Sequence, residues 1–323
     1  MTFRPSHPRI GGCLLALFCA PALAQQAPPN PASGGQPRAL LRGIASASVF
    51  SGVNRNDARA SLKVWFDELA RQRGHVLDST VDIVDNVAEI RERLRTRSVE
   101  LLSLGARDYL ELESSGLLVP VLTDARTTGA AAYPYLLLVN STSGISNMAG
   151  LRGKSILVSA RGNGETGTAW LEILLAKEKL PHAASFFSSV KASAKPQACI
   201  LPVFFGTADA CVVDAVNLKL AQEMNPQLER LMVLARSRPL VEGVIGVPSD
   251  PHPYQQELVD SMLTLHEDPR GRQLLMVFGT ERLVRLQPGD LESIRELWRD
   301  YQRLIAGSQP AGNESPRRAT GGH

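Results

Sequence analysis

Residues 155–175 carry the pattern that most narrows what this chain can fold into. Residues 155–160 alternate polar and apolar side chains and are rich in β-formers, which predicts a strand. Residues 161–168 include Gly162, Gly164 and Gly167 with Thr166 and Thr168, a turn composition that can expose backbone N–H groups. Residues 169–175 space their apolar side chains as a helix does. Strand, turn and helix in this order place four unpaired N–H groups and the positive end of a helix dipole at one spot, which favours an anion. An ordinary strand-to-helix turn of an α/β domain has the same pattern, so both readings stand at this level. A nucleotide phosphate loop does not fit. Gly162 and Gly167 have its spacing, but Thr168 occupies the position where that loop needs a lysine.

The alternation extends along the chain. Residues 39–50 predict a first strand, and Asn54, Asn56 or Asp57 can cap a helix carrying Leu62, Trp65, Phe66 and Leu69 on one face. Strands are predicted at 76–84, 100–105 and 117–123, with helices at 87–96 and 106–114 between them. The apolar run 133–140 reads as a strand leaving one lobe for another. The second half repeats the scheme, with strands at 185–190 and 209–214 and helices at 195–205 and 215–224. Strands at 231–235 and 241–247 return the chain to the first lobe. A helix over 251–267, another from Asp268 and a last one over 289–305 follow. Such alternation marks an α/β fold with strands covered by helices.

The N-terminus reads as a secretory signal peptide. Arg4 and Arg9 precede the apolar run 13–20, and Ala22 and Ala24 form a small-residue cleavage pattern. Cleavage after Ala24 is expected, and the run falls short of the roughly 20 residues a membrane span needs. Residues 25–38 read as a flexible linker, and 306–323 as a disordered tail. Removing 1–24 leaves 33 basic against 32 acidic residues, too even a balance to suggest nucleic acid as a partner. Two cysteines then remain, Cys199 and Cys211. A single disulfide fits an oxidising compartment, and two buried thiols fit equally.

Several phrases, taken in order, resemble one family. Residues 136–140 and then 144–155 are similar to the crossing strand and the Leu-Arg-Gly-Lys turn of periplasmic solute-binding proteins of the phosphate/phosphonate type, which serve ABC transporters. Residues 164–168 fall where those proteins carry a phosphonate-binding turn, and 208–214 resemble their Asp-Ala-Ala-Val strand. Residues 237–244 resemble the return strand, and 265–271 the Asp-Pro-x-Gly helix junction. The resemblance covers about residues 40–290. One departure stands out: Glu165 places a carboxylate inside the anion turn, where it would repel a phosphonate unless it faces away.

The resemblance implies a two-lobed type 2 periplasmic binding-protein fold, each lobe a mixed sheet flanked by helices, with a two-crossing hinge. Lobe 1 would comprise 39–135 and 236–305, and lobe 2 residues 136–235. A ligand would sit between the lobes, where strand C-termini and helix N-termini point. The candidate ligand residues are therefore Phe50, Ser51, Asn54 and Gly105 in the first lobe. In the second they are Thr166, Gly167, Thr168 and Asp214. The threonines could donate to an oxyanion or cap their own helix, and Asp214 could meet a ligand or cap the next one. No cofactor, metal spacing or nucleophile elbow is read in the sequence, and an enzyme is not expected. The expected protein is a periplasmic monomer that captures a small anionic, phosphonate- or phosphate-like solute for an ABC permease. The alternative is a sensory module signalling to a membrane-bound kinase or cyclase.

Overall fold

Strand β1 (Ala39–Ser46) begins the first sheet and gives way at once to a 3-10 turn over Ala47–Phe50. The first expected strand is thus four residues shorter than its apolar run. The computed structural model of the chain describes residues 39–50, 54–72, 77–126, 130–159 and 165–308. The expected leader and linker, Ser51, and the glycine turn at 160–164 lie outside these residues.

Helix α1 (Arg55–Gln72) leads to β2 (Leu77–Val84), α2 (Val87–Arg95), β3 (Leu101–Gly105), α3 (Ala106–Glu113) and β4 (Leu118–Ala125). Asn86 starts α2 by accepting the Glu89 N–H at 2.8 Å, the N-cap arrangement that satisfies an otherwise unpaired donor. The chain then crosses to β5 (Tyr135–Asn140), β6 (Ser155–Ser159), α4 (Glu165–Lys177) and the short α5 (Ala183–Phe186). It continues through β7 (Ser189–Ser193), α6 (Gln197–Phe204), β8 (Ala210–Asp214), α7 (Ala215–Met224) and β9 (Leu231–Arg236). The strand expected at 185–190 therefore begins later, because Ala183–Phe186 takes a helical turn that buries Ala183 and Phe186.

The second crossing returns to β10 (Gly243–Pro248), α8 (Gln255–Leu263), α9 (Pro269–Val277), β11 (Arg282–Arg285) and α10 (Glu292–Ser308). The sequence reading contained no β11. It is a four-residue edge strand bearing Arg282 and Arg285, the short charged kind that leaves little periodic signal.

Two sheets result. The first has the order β11-β4-β10-β3-β1-β2 and the second β7-β6-β8-β5-β9. In each, parallel pairs (β1 with β2 and β3; β6 with β7 and β8) are joined to antiparallel ones. This is the expected α/β architecture of two mixed sheets. The five residues of β8 are all buried, as befits a strand with both faces covered. The two crossings lie side by side. Tyr133 and Leu240 exchange backbone hydrogen bonds at 3.1 and 2.9 Å, and Ser237 N–H donates to the Tyr135 carbonyl at 2.8 Å. Helix α10 packs on both halves, against α4 and α3, and its buried Ile294, Leu297 and Trp298, with Leu291 just before it, join a core that takes residues from both sheets.

Candidate ligand-binding site

The strands of the first sheet end near a cavity of about 370 Å3. Its mouth is polar: Ser48, Gly105, Asp124, Arg126 and Glu242 come from the first-sheet half, and Asn217 from α7 of the other. Ala194 and Pro196 also reach it from the second half, and Phe50 lies at its edge. The interior is apolar. It runs between the first sheet and helices α1, α8 and α9, lined by Leu62, Trp65, Leu101, Ile245, Met262 and Leu274 among others.

Arg126 dominates the mouth. It follows β4 directly, and its backbone N–H donates at 2.5 Å to the Tyr133 hydroxyl, which in turn donates to the Ala130 carbonyl. The crossing therefore fixes where Arg126 leaves the sheet. Its side chain is 10% exposed and lies 3.9 Å from Asp124 and 4.0 Å from Asp214, one carboxylate from each half. These separations are ion pairs rather than hydrogen bonds. The Arg126 Nε–H is buried and has no hydrogen-bond partner among the described residues. Buried donors are normally satisfied, so this one marks a place where an acceptor is missing.

The surrounding groups are held in place by their own bonds. Asp214 caps α7, accepting the Asn217 N–H at 2.9 Å, and also accepts from the Asn217 side-chain amide. Tyr135, fully enclosed, donates its hydroxyl to Glu242. Burial, and then the Glu242 charge, push the Tyr135 phenol well above its ordinary range, so it stays a donor. A hydroxyl relay supports the other side. Gly105 N–H donates to Ser46 Oγ at 3.2 Å, Ser46 and Ser48 are bonded at 2.7 Å, and Ser48 donates to Asp108 at 2.6 Å. Since the Ser48 proton goes to Asp108, Ser46 is the donor in the middle bond, and Ser48 offers the cleft only an acceptor. Gly105 is the residue that lets this relay close, because a Cβ there would stand 2.5 Å from Ser48 Oγ.

The sequence candidates separate on this frame. Phe50 and Gly105 line the cavity. Asn54 is exposed and caps α1, accepting the Asn56 N–H at 2.9 Å. Ser51 lies outside the described residues. Asp214 lies behind the mouth, occupied as the α7 cap. Thr166, Gly167 and Thr168 form the first turn of α4 and do not line the cavity. Gly167 is packed rather than presented: a Cβ there would meet Tyr135 Cε1 at 3.1 Å and Val158 Cγ1 at 3.2 Å. The sequence reading missed Asp124, Arg126, Asn217 and Glu242. Asp124 and Arg126 stood where strand ends point into a cleft, but β4 was expected to stop at Thr123, two residues short of its end at Ala125.

Glu165 turns out to face a cation. Its carboxylate accepts from Arg107 Nη1 at 2.6 Å, which links the N-terminus of α4 to α3 of the other half. Arg107 also lies over the Trp298 ring, 5.4 Å from its centre. The bond to Glu165 raises the Arg107 pKa above its ordinary value. Glu165 thus supplies negative charge to its own helix N-terminus and to Arg107, both favourable.

Cys199 and Cys211 are two free, buried thiols. Burial raises both, Cys199 to about 11. Among the described residues no group of three His, Cys, Asp or Glu could hold a metal ion, and no helix is long and apolar enough to cross a membrane.

Comparison with known proteins places this geometry. Among solved structures, the Xanthomonas citri protein XAC2383 bound to ATP is similar at a TM-score of 0.59 and 18% identity, over 84% of this chain and all of that one. PhnD1 from Prochlorococcus marinus in complex with methylphosphonate gives 0.56 and 17%, over 82% and 98%. A binding-protein component of an ABC phosphonate transporter from Pseudomonas aeruginosa gives 0.57 and 14%, over 86% and 91%. At these identities the structures establish the fold. No curated protein sequence matches the chain. The profile of the ABC transporter phosphonate periplasmic substrate-binding proteins matches residues 48–291. That match spans most of the chain and every strand of both sheets but β1, and the chain belongs to this family of periplasmic substrate-binding proteins.

Proposed function

We propose that this chain captures a small solute with a phosphonate- or phosphate-like head at the mouth of the cavity and delivers it to an ABC permease. The observation that carries the reading is Arg126, a cation that lines the cavity, lies between carboxylates of the two halves and has a buried Nε–H with no hydrogen-bond partner among the described residues. An oxyanion in the cavity would meet the Arg126 guanidinium, and the Asn217 side-chain amide, which lines the same cavity, is a further donor. Asp124, Asp214 and Glu242 outnumber the single guanidinium, so a singly charged head suits the mouth better than a doubly charged one. Residues 1–24 direct export and are removed after Ala24, and the monomer works in the periplasm. Family membership favours import over the sensory alternative.

Thermal unfolding in a panel of phosphonates, phosphate esters, sulfonates and carboxylates tests the reading. A bound oxyanion at a hundred times its Kd adds about 2.7 kcal/mol of stability. That gain should vanish in Arg126→Met, which also loses about 3 kcal/mol of stability because two partly buried carboxylates lose their cation. A panel without a single oxyanion response refutes the proposal.

A further inference from the structure

The cavity is larger than an oxyanion head requires, and its excess volume is apolar. A water's share of liquid volume is about 30 Å3, so about 370 Å3 has room for roughly a dozen non-hydrogen atoms. Methylphosphonate has five. The remainder extends away from Arg126 into the core of the first half, bounded by Leu101 and Ile245 on the sheet and by Leu62, Met262 and Leu274 on the helices. Protein interiors are ordinarily close-packed, and an apolar void of this size does not hold water well. Trp65 lines the same space, is 6% exposed, and its indole N–H is buried with no partner among the described residues. The cavity therefore sets one guanidinium, Arg126, against apolar walls that include Trp65.

We infer that the solute is an amphiphile: an oxyanion head at Arg126 carrying an alkyl or aryl tail of about six to eight carbons, which fills the space beside Trp65. The inference rests on the proposed oxyanion reading for its head, and on the cavity alone for its tail. The tail supplies what the walls lack, contact with apolar atoms. A bare methylphosphonate would leave most of that space unfilled.

Calorimetric titration of the exported chain with n-alkylphosphonates from methyl to decyl tests it. Each methylene buried is expected to tighten binding about fourfold until the cavity is full, near hexyl to octyl, after which the gain stops. Val81→Phe, on the cavity wall, should flatten the series while leaving methylphosphonate within twofold. Should that variant not fold, the unaltered protein still decides. 8-Bromooctylphosphonate should quench a tryptophan emission that Trp65→Phe removes, and methylphosphonate should not. Equal affinity for methyl- and octylphosphonate overturns the tail while leaving the head assignment intact. Binding of octanol as tight as that of octylphosphonate supports the tail and overturns the oxyanion head; binding of octanoate with no phosphonate bound keeps an oxyanion head and overturns the phosphonate-like reading of it. No binding by any of them overturns both.

Discussion

Replacing Glu165 with glutamine separates two opposite roles for a carboxylate at the start of α4. If it faced the ligand, it would repel an oxyanion, and its removal would tighten binding. The structure instead pairs it with Arg107 at 2.6 Å across the two halves. The two side chains are 39% and 51% exposed, so solvent screens the pair and about 0.2–1 kcal/mol is the appropriate scale. If the halves open and close about the two crossings, a bond that joins them favours the state in which they meet. Its removal should lower the closed population, and weaken ligand binding, by about 1.4- to 5-fold. Glu165→Gln should also lower stability without ligand by about 0.3–1 kcal/mol, through loss of charge at the helix N-terminus. Titration of an oxyanion ligand against the parent, Glu165→Gln, Arg107→Met and the double variant gives the coupling directly. The coupling should shrink at high salt. Tighter binding by Glu165→Gln, or no coupling between the two positions, would refute the latch.

Three further outcomes follow from the geometry. Gly167→Val pushes methyl groups toward Tyr135 and Val158 and should lower stability by about 2 kcal/mol in urea unfolding; an unchanged midpoint would show that β5 and β6 yield there. Glu113 accepts from Arg295 at 2.5 Å, which holds its pKa below the usual carboxylate range. Its contribution is therefore full above the unfolded-state value, near 4.3, and lost as pH falls through the depressed folded value. Arg295→Met should cost about 1 kcal/mol at pH 7, discounted for partial exposure, and the difference should close below pH 4. Finally, an alkyl phosphate should bind more tightly at pH 5 than at pH 8, because its second ionisation near 6 adds a charge beside three carboxylates; a pH-independent Kd would contradict the charge count at the mouth.

How far the sequence could be read depended on whether the deciding interaction was local. The α7 cap was legible, because Asp214 and its partner Asn217 stand three positions apart at the start of an apolar helix. The buried run of β5 was legible, since unbroken apolar residues name a covered strand. The end of β1 was not: Ala47–Phe50 is as apolar as a strand, yet turns because the chain must leave the sheet at the cavity mouth.

Composition and periodicity by themselves determined the export signal as an expectation and the alternation of strands and helices, while the family was legible in the resemblance of several short phrases taken in order. Those properties are carried by neighbours in the chain, and hydrophobic period and capping act over a few residues. Only the tertiary structure decided the site. Glu165 meets Arg107 across 58 positions, and Arg126 lies between carboxylates that different sheets supply. Tyr135 at the start of β5 reaches Glu242, just before β10, across 107 positions. Charge at such places is set by which residues the two crossings bring together, and no local pattern records that.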